Sequence, residues 1–188
     1  MLLSNGLESI RGQPQEFQVI VEGQSGMSPS DRAALVEFQQ KVARLQRAVS
    51  GAQDSANALK PRLAQIKRAL IDTPSAPEKL LDDAAALDKG TNEILRALRG
   101  DMAARQRNMN TPPAISDRVG FIVVAQRMST ARPTQTQVAQ YTAAAQEFET
   151  VLAHLRQLIE VDLARLEKQM EAAGAPWTPG RIPEWKDQ

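Results

Sequence analysis

The side chains that could carry acid–base or metal chemistry are few and scattered. His154 is the only histidine, and the chain has no cysteine. Zinc sites of the common kinds draw most of their ligands from these two residue types, so the sequence predicts no such site. Neighbouring carboxylates diverge on a helix, and nothing around Asp82 and Asp83, or around Glu160 and Asp162, predicts the burial that raises a carboxyl pKa. We expect His154 and these carboxylates to lie on solvated helix faces.

The run Ser116-Asp117-Arg118 has residue types that occur in hydrolytic sites, but its position favours a structural role. Ser and Asp at a helix start are ordinary capping residues. The phosphate-binding loop GxxxxGK[ST], the dinucleotide turn GxGxxG and the nucleophile elbow GxSxG do not occur in the chain. The sequence therefore predicts no catalytic, cofactor-binding or metal-binding residues, and no cofactor.

The one basic cluster comprises Lys60, Arg62, Lys67 and Arg68. Phosphates or acidic lipids are one possible partner, and the acidic segment EKLLDDAAALD (78–88) across a helical hairpin is the simpler one. Over the whole chain, 23 Lys and Arg balance 22 Asp and Glu, which argues against a nucleic-acid-binding protein. No apolar run reaches the length of a membrane span, and the apolar core of MLLSNGLESIRG is too short for a secretory signal.

Long helices must position these side chains. Apolar residues recur at alternating intervals of three and four from Leu35 to Leu70, which is the pattern of a coiled-coil seam. Ser28 or Ser30 is expected to cap this first helix, which then runs for about 40 residues. After the Pro-rich TPSAPEKLL (73–81) the same spacing returns in a second helix that ends at Gly100. The short loop between the two helices predicts an antiparallel hairpin.

Two further helices follow an irregular segment at 100–114. Thr111 or Ser116 is expected to cap the third helix, whose apolar face is Ile115, Val119, Ile122 and Gln126, flanked by Val123.

The fourth helix is expected to begin with a capping box of Thr134 and Gln137 and to stop at Gly174. Its face is Val138, Tyr141, Ala145, Phe148, Leu152, Leu155 and Ile159, followed after a stutter by Leu163, Leu166 and Met170.

The predicted fold is an all-α antiparallel bundle with long coiled-coil-like helices and one short N-terminal β-strand. Helices one and four pair, with two and three shorter and packed alongside. Lys and Arg predominate in the first helix and Asp and Glu in the fourth, which indicates either complementary pairing or two solvated faces. The strand is EFQVIVEGQ (16–24), whose residues alternate between two faces. We expect it to borrow pairing from residues 1–10 or a second copy, or to be poorly ordered.

The chain divides into three parts by composition: a remnant of an upstream β segment with a linker (1–27), the helical bundle (28–174) and a Pro- and Trp-rich tail (175–188). Trp177 and Trp185 lie in that tail. We expect their indole rings to cover the open end of the bundle, with recognition of another protein as the alternative.

Four segments share a distinctive combination of caps, turns and prolines: DRAALVEFQQKVARLQRAV (31–49), TPPAISDRVGFI (111–122), RPTQTQVAQY (132–141) and EAAGAPWTPGRIPEW (171–185). Together they resemble the C-terminal helical region of large bacterial proteins built on sortilin-like or neuraminidase-repeat (BNR-type) β-propellers, often labelled glycosyl hydrolase-like. The resemblance covers about residues 16 to 188. It implies a C-terminal fragment or separately encoded remnant of such a protein, and a periplasmic or extracellular parent.

These expectations favour a non-catalytic structural or protein-interaction module. Its partner would be the upstream propeller or β domain, or another copy of itself. One alternative is a free-standing helical adaptor whose seam binds partner helices. The other is part of a glycosyl hydrolase-like enzyme whose active site lies outside this chain.

Overall fold

The computed structural model describes residue 16 and residues 26–183. Every regular element within these residues is helical, so the predicted all-α bundle is confirmed. A π-helical stretch at Gln157–Leu163, the π segment, joins the last two α-helices. The α-helices are α1 (Pro29–Ile71), α2 (Glu78–Arg99), α3 (Met102–Gln106), α4 (Ile115–Met128), α5 (Gln135–Arg156) and α6 (Ala164–Ala172). Residues 17–24 of the predicted strand lie outside the described residues.

The helix α1 is the framework of the bundle, with 43 residues and a length of about 65 Å. Ser28, rather than Ser30, caps it: the Ser28 hydroxyl oxygen accepts a hydrogen bond from the Asp31 backbone N–H at 3.1 Å. The predicted seam is buried from the third turn onward. Its buried members are Phe38, Val42, Leu45, Val49, Ala52, Ala56, Leu59, Leu63, Ile66 and Leu70.

The helix α2 packs antiparallel against the C-terminal half of α1, as predicted. The Gln53 side-chain amide donates to the Leu98 carbonyl at 3.4 Å, whereas Lys67 reaches Asp88 at the other end of the hairpin. Gly100 ends α2 with a φ of 87°, in the left-handed region that glycine adopts without steric cost. Because α2 has only 22 residues, it leaves the N-terminal part of α1 to other helices.

The helices α4 and α5 pack along that N-terminal part of α1. The prediction that the first and fourth long helices pair is therefore correct only in part, since α1 packs most extensively on α2.

The predicted caps of α4, Thr111 and Ser116, are wrong. The helix begins at Ile115, and the Asp117 carboxylate accepts a hydrogen bond from the Ala114 backbone N–H at 2.8 Å. The segment predicted to be irregular also contains α3, capped by the Asp101 carboxylate, which accepts from the Ala104 N–H at 3.0 Å. An acidic side chain therefore accepts a backbone hydrogen bond at the start of both helices. The sequence predicted a hydroxyl at the start of α4 and no helix at α3.

The capping box of α5 is confirmed. The Thr134 hydroxyl oxygen accepts from the Gln137 backbone N–H at 3.2 Å, and the Gln137 side-chain Oε1 accepts from the Thr134 backbone N–H at 2.9 Å. The predicted apolar face of this helix needs correction at its first turns, because Val138 is 45% exposed and Ala144 is fully buried where Ala145 was expected.

The π segment lies where the sequence predicts a stutter. Leu155 is buried before it, Leu158 and Leu163 are buried within it, and Leu166 is buried after it, whereas the predicted face residue Ile159 is only half-buried. The five-residue step from Leu158 to Leu163 matches the i to i+5 period of a π-helix. The additional residue in this turn keeps the apolar residues on both sides of the π segment facing the core.

The buried side chains form two clusters. The main core takes in the C-terminal two-thirds of α1, the apolar face of α2, the start of α4 and the long stretch from Ala144 to Met170. The distal core is smaller and consists of Phe38, Val42 and Ile122. Tyr141 packs on the distal core with its ring edge towards Phe38, the two centroids being 5.7 Å apart.

The tail folds back on the bundle, and Trp177 carries the one indole ring of the tail that lies among the described residues. Ala175 and Thr178 are buried, and the Arg62 guanidinium donates to the Gly180 carbonyl at 3.3 Å. Trp177 is 42% exposed, and the Arg181 guanidinium lies 4.5 Å from its ring centroid. The expected burial is therefore wrong for Trp177, and Trp185 lies outside the described residues.

Candidate interaction surfaces

Most side chains of the basic cluster on α1 form ion pairs with acidic side chains of the bundle. Lys60 donates to one oxygen of the Asp88 carboxylate at 2.7 Å, and Lys67 donates to the other at 2.9 Å. The hydrogen bond from Lys60, followed by that from Lys67, lowers the pKa of Asp88. The acidic second helix is thus the partner of these lysines, as the simpler interpretation of the sequence predicts.

A second ion pair joins the first long helix to α6. The Arg62 guanidinium donates to one oxygen of Glu167 through Nε at 3.0 Å and through Nη2 at 2.6 Å. Both side chains are mostly buried, at 28% and 16% exposure. α6 belongs to the predicted fourth helix, so this ion pair is one instance of the charge complementarity that the sequence indicated between the first and fourth helices.

The run Ser116-Asp117-Arg118 is tied into the bundle by its charges. Besides capping α4, Asp117 forms an ion pair with Arg105 of α3. Arg118 donates to the Gln140 side-chain oxygen at 2.8 Å and lies 3.6 Å from a Glu147 oxygen. These contacts hold α3 and α5 against α4, so each charge has a structural partner.

His154 is exposed, as predicted, and lines a cleft of about 470 Å³ between α2 and the π segment. The floor of the cleft is apolar, with Leu87 and Ile94 from α2 and Leu158 from the π segment. Gly90 allows the two walls to approach closely, since a Cβ at this position would lie 3.1 Å from Leu158 Cδ1.

Five charged or amide side chains line this cleft together with His154: Asp83, Glu93, Gln157, Asp162 and Arg165. Asp83 forms an ion pair with Lys79 of α2, and Asp162 of the π segment forms one with Arg165 of α6. In the part of the chain that the structure describes, no three His, Asp or Glu side chains come together as a metal-binding group.

The helix α4 carries a second apolar face that points away from the bundle. Ile115, Val119 and Ile122 face inward and are at most 3% exposed. The outward face bears the α4 stripe, which we define as Phe121, Val124 and Met128, with exposures of 52%, 58% and 83%. Their spacing of three and four residues places them in one line along the helix. Contiguous exposed apolar side chains of this kind mark interaction sites more often than isolated ones.

Three further residues of α4 border the stripe on its outward side: Asp117, Gly120 and Arg127. Asp117 lies at the N-terminal end and Arg127 at the C-terminal end. Arg127 is exposed and has no ion pair among residues 26–183. A glycine inside a helix costs about 1 kcal/mol relative to alanine, yet a Cβ at Gly120 would meet no atom within 4 Å. Intramolecular packing therefore does not require this glycine.

The sequence prediction for α4 named its inner face and missed the stripe. The signal was present, because Phe121, Val124 and Met128 repeat at the same spacing as the buried residues. A helix that is apolar on two faces gives no clear polar side from which to infer orientation.

Comparison with known protein families, with curated proteins and with solved structures finds no match to this chain. The resemblance to β-propeller proteins therefore stays a prediction. In the described part of the chain, no helix combines the length and the apolarity needed to cross a bilayer.

Proposed function

We propose that this chain is a non-catalytic structural or protein-interaction module that acts through the α4 stripe. The observation that carries the proposal is the exposure of Phe121, Val124 and Met128 in one line on a helix whose opposite face is core. Fully burying a side chain of this kind against a partner contributes about 1.5–3 kcal/mol. Roughly half or more of each of these three side chains is still available for burial.

The resemblance of the sequence supplies a setting for the module. It is the C-terminal helical region of a β-propeller protein of periplasmic or extracellular type, and its partner is the upstream propeller or β domain or another copy of the chain. The proposed interaction role rests on the stripe, and the propeller setting rests on the resemblance alone.

The adaptor alternative requires the seam of α1 to bind helices of another protein. That seam already packs inside the molecule, where Ala56, Leu63 and Ile66 have no exposed surface. An adaptor working through the seam would have to open the bundle, whereas the stripe is accessible in the folded chain. The stripe therefore supports the interaction module better than the seam supports the adaptor.

The enzyme alternative places the active site of a glycosyl hydrolase-like protein outside this chain. An assay on a panel of glycosides tests it when the purified chain is compared with a longer protein that also contains the propeller. The enzyme alternative expects turnover by the longer protein, and the proposal expects none from the purified chain. Hydrolysis by the purified chain at a rate above that of a heat-denatured sample would replace the proposal with an enzyme.

Site-specific photo-crosslinking tests the interaction function directly. A benzophenone amino acid replaces Val124 in one variant and Gln65, an exposed residue of α1, in a matched control. We expect a defined adduct from position 124, with crosslinked peptides that map to one surface, and its loss when Phe121→Ser and Met128→Ser are added. Equal adducts from positions 124 and 65, or none from either, would contradict the proposal.

A further inference from the structure

We propose that the cleft between α2 and the π segment binds a small organic cation with an elongated apolar body and a protonated amine at one end. The cleft is separate from the α4 stripe, so this inference goes beyond the proposed function and does not depend on it. The cleft volume of about 470 Å³ lies within the range of small-molecule sites, which are mostly apolar and carry a few polar groups.

The shape of the cleft follows from small residues on one face of α2. Ala86, Gly90 and Ala97 line it, and their spacing of four and seven residues keeps them on the same side of the helix. From Asp83 to Ala97 the lining runs along about four turns of α2, or about 21 Å. The space is therefore a long trough, which suits an elongated ligand better than a compact one.

The π segment supplies the opposite wall. Its Leu158 forms the apolar floor with Leu87 and Ile94 of α2, and all three side chains are at most 8% exposed. Asp162 of the same segment also lines the cleft. Helical turns of the π type are rare and occur frequently at functional sites. This wall thus presents an apolar side chain and a carboxylate to the same space.

The charges of the lining favour a cation. Among the described lining residues, the three carboxylates of Asp83, Glu93 and Asp162 accompany one guanidinium, that of Arg165. Asp83 and Asp162 are paired, but their side chains are 30% and 28% exposed, whereas those of their partners Lys79 and Arg165 are 78% and 62% exposed. Glu93 forms no ion pair with residues 26–183. Its carboxylate is therefore available to an amine.

The direction of the helices places the amine at one end of the cleft. The Ser75 hydroxyl donates to the Ala173 carbonyl at 3.0 Å, and Gly90 lies beside Leu158, so α2 runs antiparallel to the chain that forms the other wall. Glu93 comes three residues after Gly90, and His154 comes four residues before Leu158, so both lie towards the same end. An amine there can donate to the Glu93 carboxylate and to an unprotonated imidazole nitrogen, while the apolar body lies along the floor towards Asp83.

Titration of the isotope-labelled chain with hexylammonium, followed by amide NMR shifts, tests the inference. We expect saturable shifts confined to residues 83–97 and 151–166. Hexanoate, which has the same chain length and the opposite charge, should give no saturable shift at the same concentrations. Butylammonium should bind more weakly, because each methylene group buried on the floor tightens the dissociation constant by up to about fourfold.

Two variants with matched controls locate the site. Ala86→Phe places a ring at the cleft and should raise the dissociation constant of hexylammonium about fivefold or more, whereas Ala85→Phe, at an exposed neighbour outside the lining, should leave it unchanged. Glu93→Gln should raise it roughly two- to fivefold in low salt. Glu160→Gln, at an exposed carboxylate of the π segment outside the lining, should not. All four positions are exposed, so the thermal midpoint should stay near that of wild type.

Several results would overturn the inference. Saturable binding of hexanoate equal to that of hexylammonium would show that the cleft does not select a cation, and the absence of a saturable shift from both probes would show that it binds neither. An affinity that is unchanged by Ala86→Phe would place the probe elsewhere on the chain. An affinity that is unchanged by Glu93→Gln would remove the carboxylate that is assigned to the amine.

Discussion

The two ends of α1 carry the same seam but are buried to very different extents. Towards its C-terminus, α1 packs with α2, the π segment and α6 in the main core. Towards its N-terminus, the described helices that it meets are α4 and the start of α5, and the distal core there has three buried side chains. The difference follows from length, since α1 has 43 residues and α2 has 22.

This contrast bears on function because the α4 stripe lies on the helix that closes the distal core. Ile122 fills that core from one face of α4, while Phe121 and Val124 on the other face remain exposed. Covering the stripe would add buried apolar area where the chain alone has least. An interaction module gains most stability from a partner at such an end.

The largest effect is expected in the main core. Leu63 has no exposed surface, and Leu63→Ala should lower the free energy of unfolding by about 3 kcal/mol through lost burial and the cavity left behind. Urea denaturation followed by circular dichroism measures this change. A loss below about 1 kcal/mol would mean that the surrounding helices collapse into the space, contrary to a tightly packed core.

A matched pair of valines compares the two ends directly. Val49 lies in the main core and Val42 in the distal core, one heptad apart on the same seam, with exposures of 4% and 2%. We expect Val49→Ala to cost about 2–3 kcal/mol and Val42→Ala about 1–1.5 kcal/mol in the unfolding free energy, because the distal core has only three buried side chains and its helices can relax into the cavity more readily. Equal losses would show that burial fraction alone sets the stability of both ends.

The capping box should matter chiefly to the distal end, where α5 begins. Thr134→Ala removes the oxygen that accepts from the Gln137 N–H, and we expect a loss of about 1 kcal/mol. Hydrogen exchange should accelerate over the first turns of α5 and remain unchanged in α6. Thr136→Ala, on the same turn but without a capping bond, is the control and should cost less than half as much.

The smallest effect concerns the lysine pair of the main core and depends on pH. Asp88 has a folded-state pKa below its ordinary value of 3.8 because Lys60 and then Lys67 donate to it. A lowered carboxyl pKa stabilises the fold above the unfolded pKa, and this contribution disappears as pH falls through the folded pKa.

Asp88→Asn should therefore cost about 0.5–1 kcal/mol at neutral pH, since the three groups are partly exposed. The gap between wild type and variant should close as the pH falls below 3.8, and urea titrations over pH 2–7 measure it. Asp82→Asn, at an exposed position of the same helix, is the control and should cost less at neutral pH than Asp88→Asn. A constant difference at every pH would assign the loss to packing.

The seams of α1 and α2 were predictable because an unbroken spacing of three and four leaves few alternatives to a long helix. The π segment was predictable only as an irregularity in the apolar spacing. The sequence is equally compatible with two four-residue steps, Leu155 to Ile159 to Leu163, and with a five-residue step from Leu158 to Leu163. Tertiary packing chose Leu158. Similarly, α3 has five residues and no buried side chain, so no periodicity marks it.

For the candidate surface, the sequence predicted the partner of Lys60 and Lys67 and the exposure of His154, because charge and heptad position decide both. It did not indicate which apolar face of α4 stays uncovered. That depends on where α1 and α5 come to lie, and a local pattern does not contain this information.

Hydrogen exchange as a function of protein concentration tests most directly the claim that the α4 stripe is an interaction surface, with another copy of the chain as the partner. If the α4 stripe is the surface through which the chain associates, amides of α4 and of the distal part of α1 should become more protected as concentration rises. Those of the main core should stay at their dilute values. Protection that is independent of concentration throughout α4, or that rises only elsewhere in the described helices, would contradict self-association through the stripe.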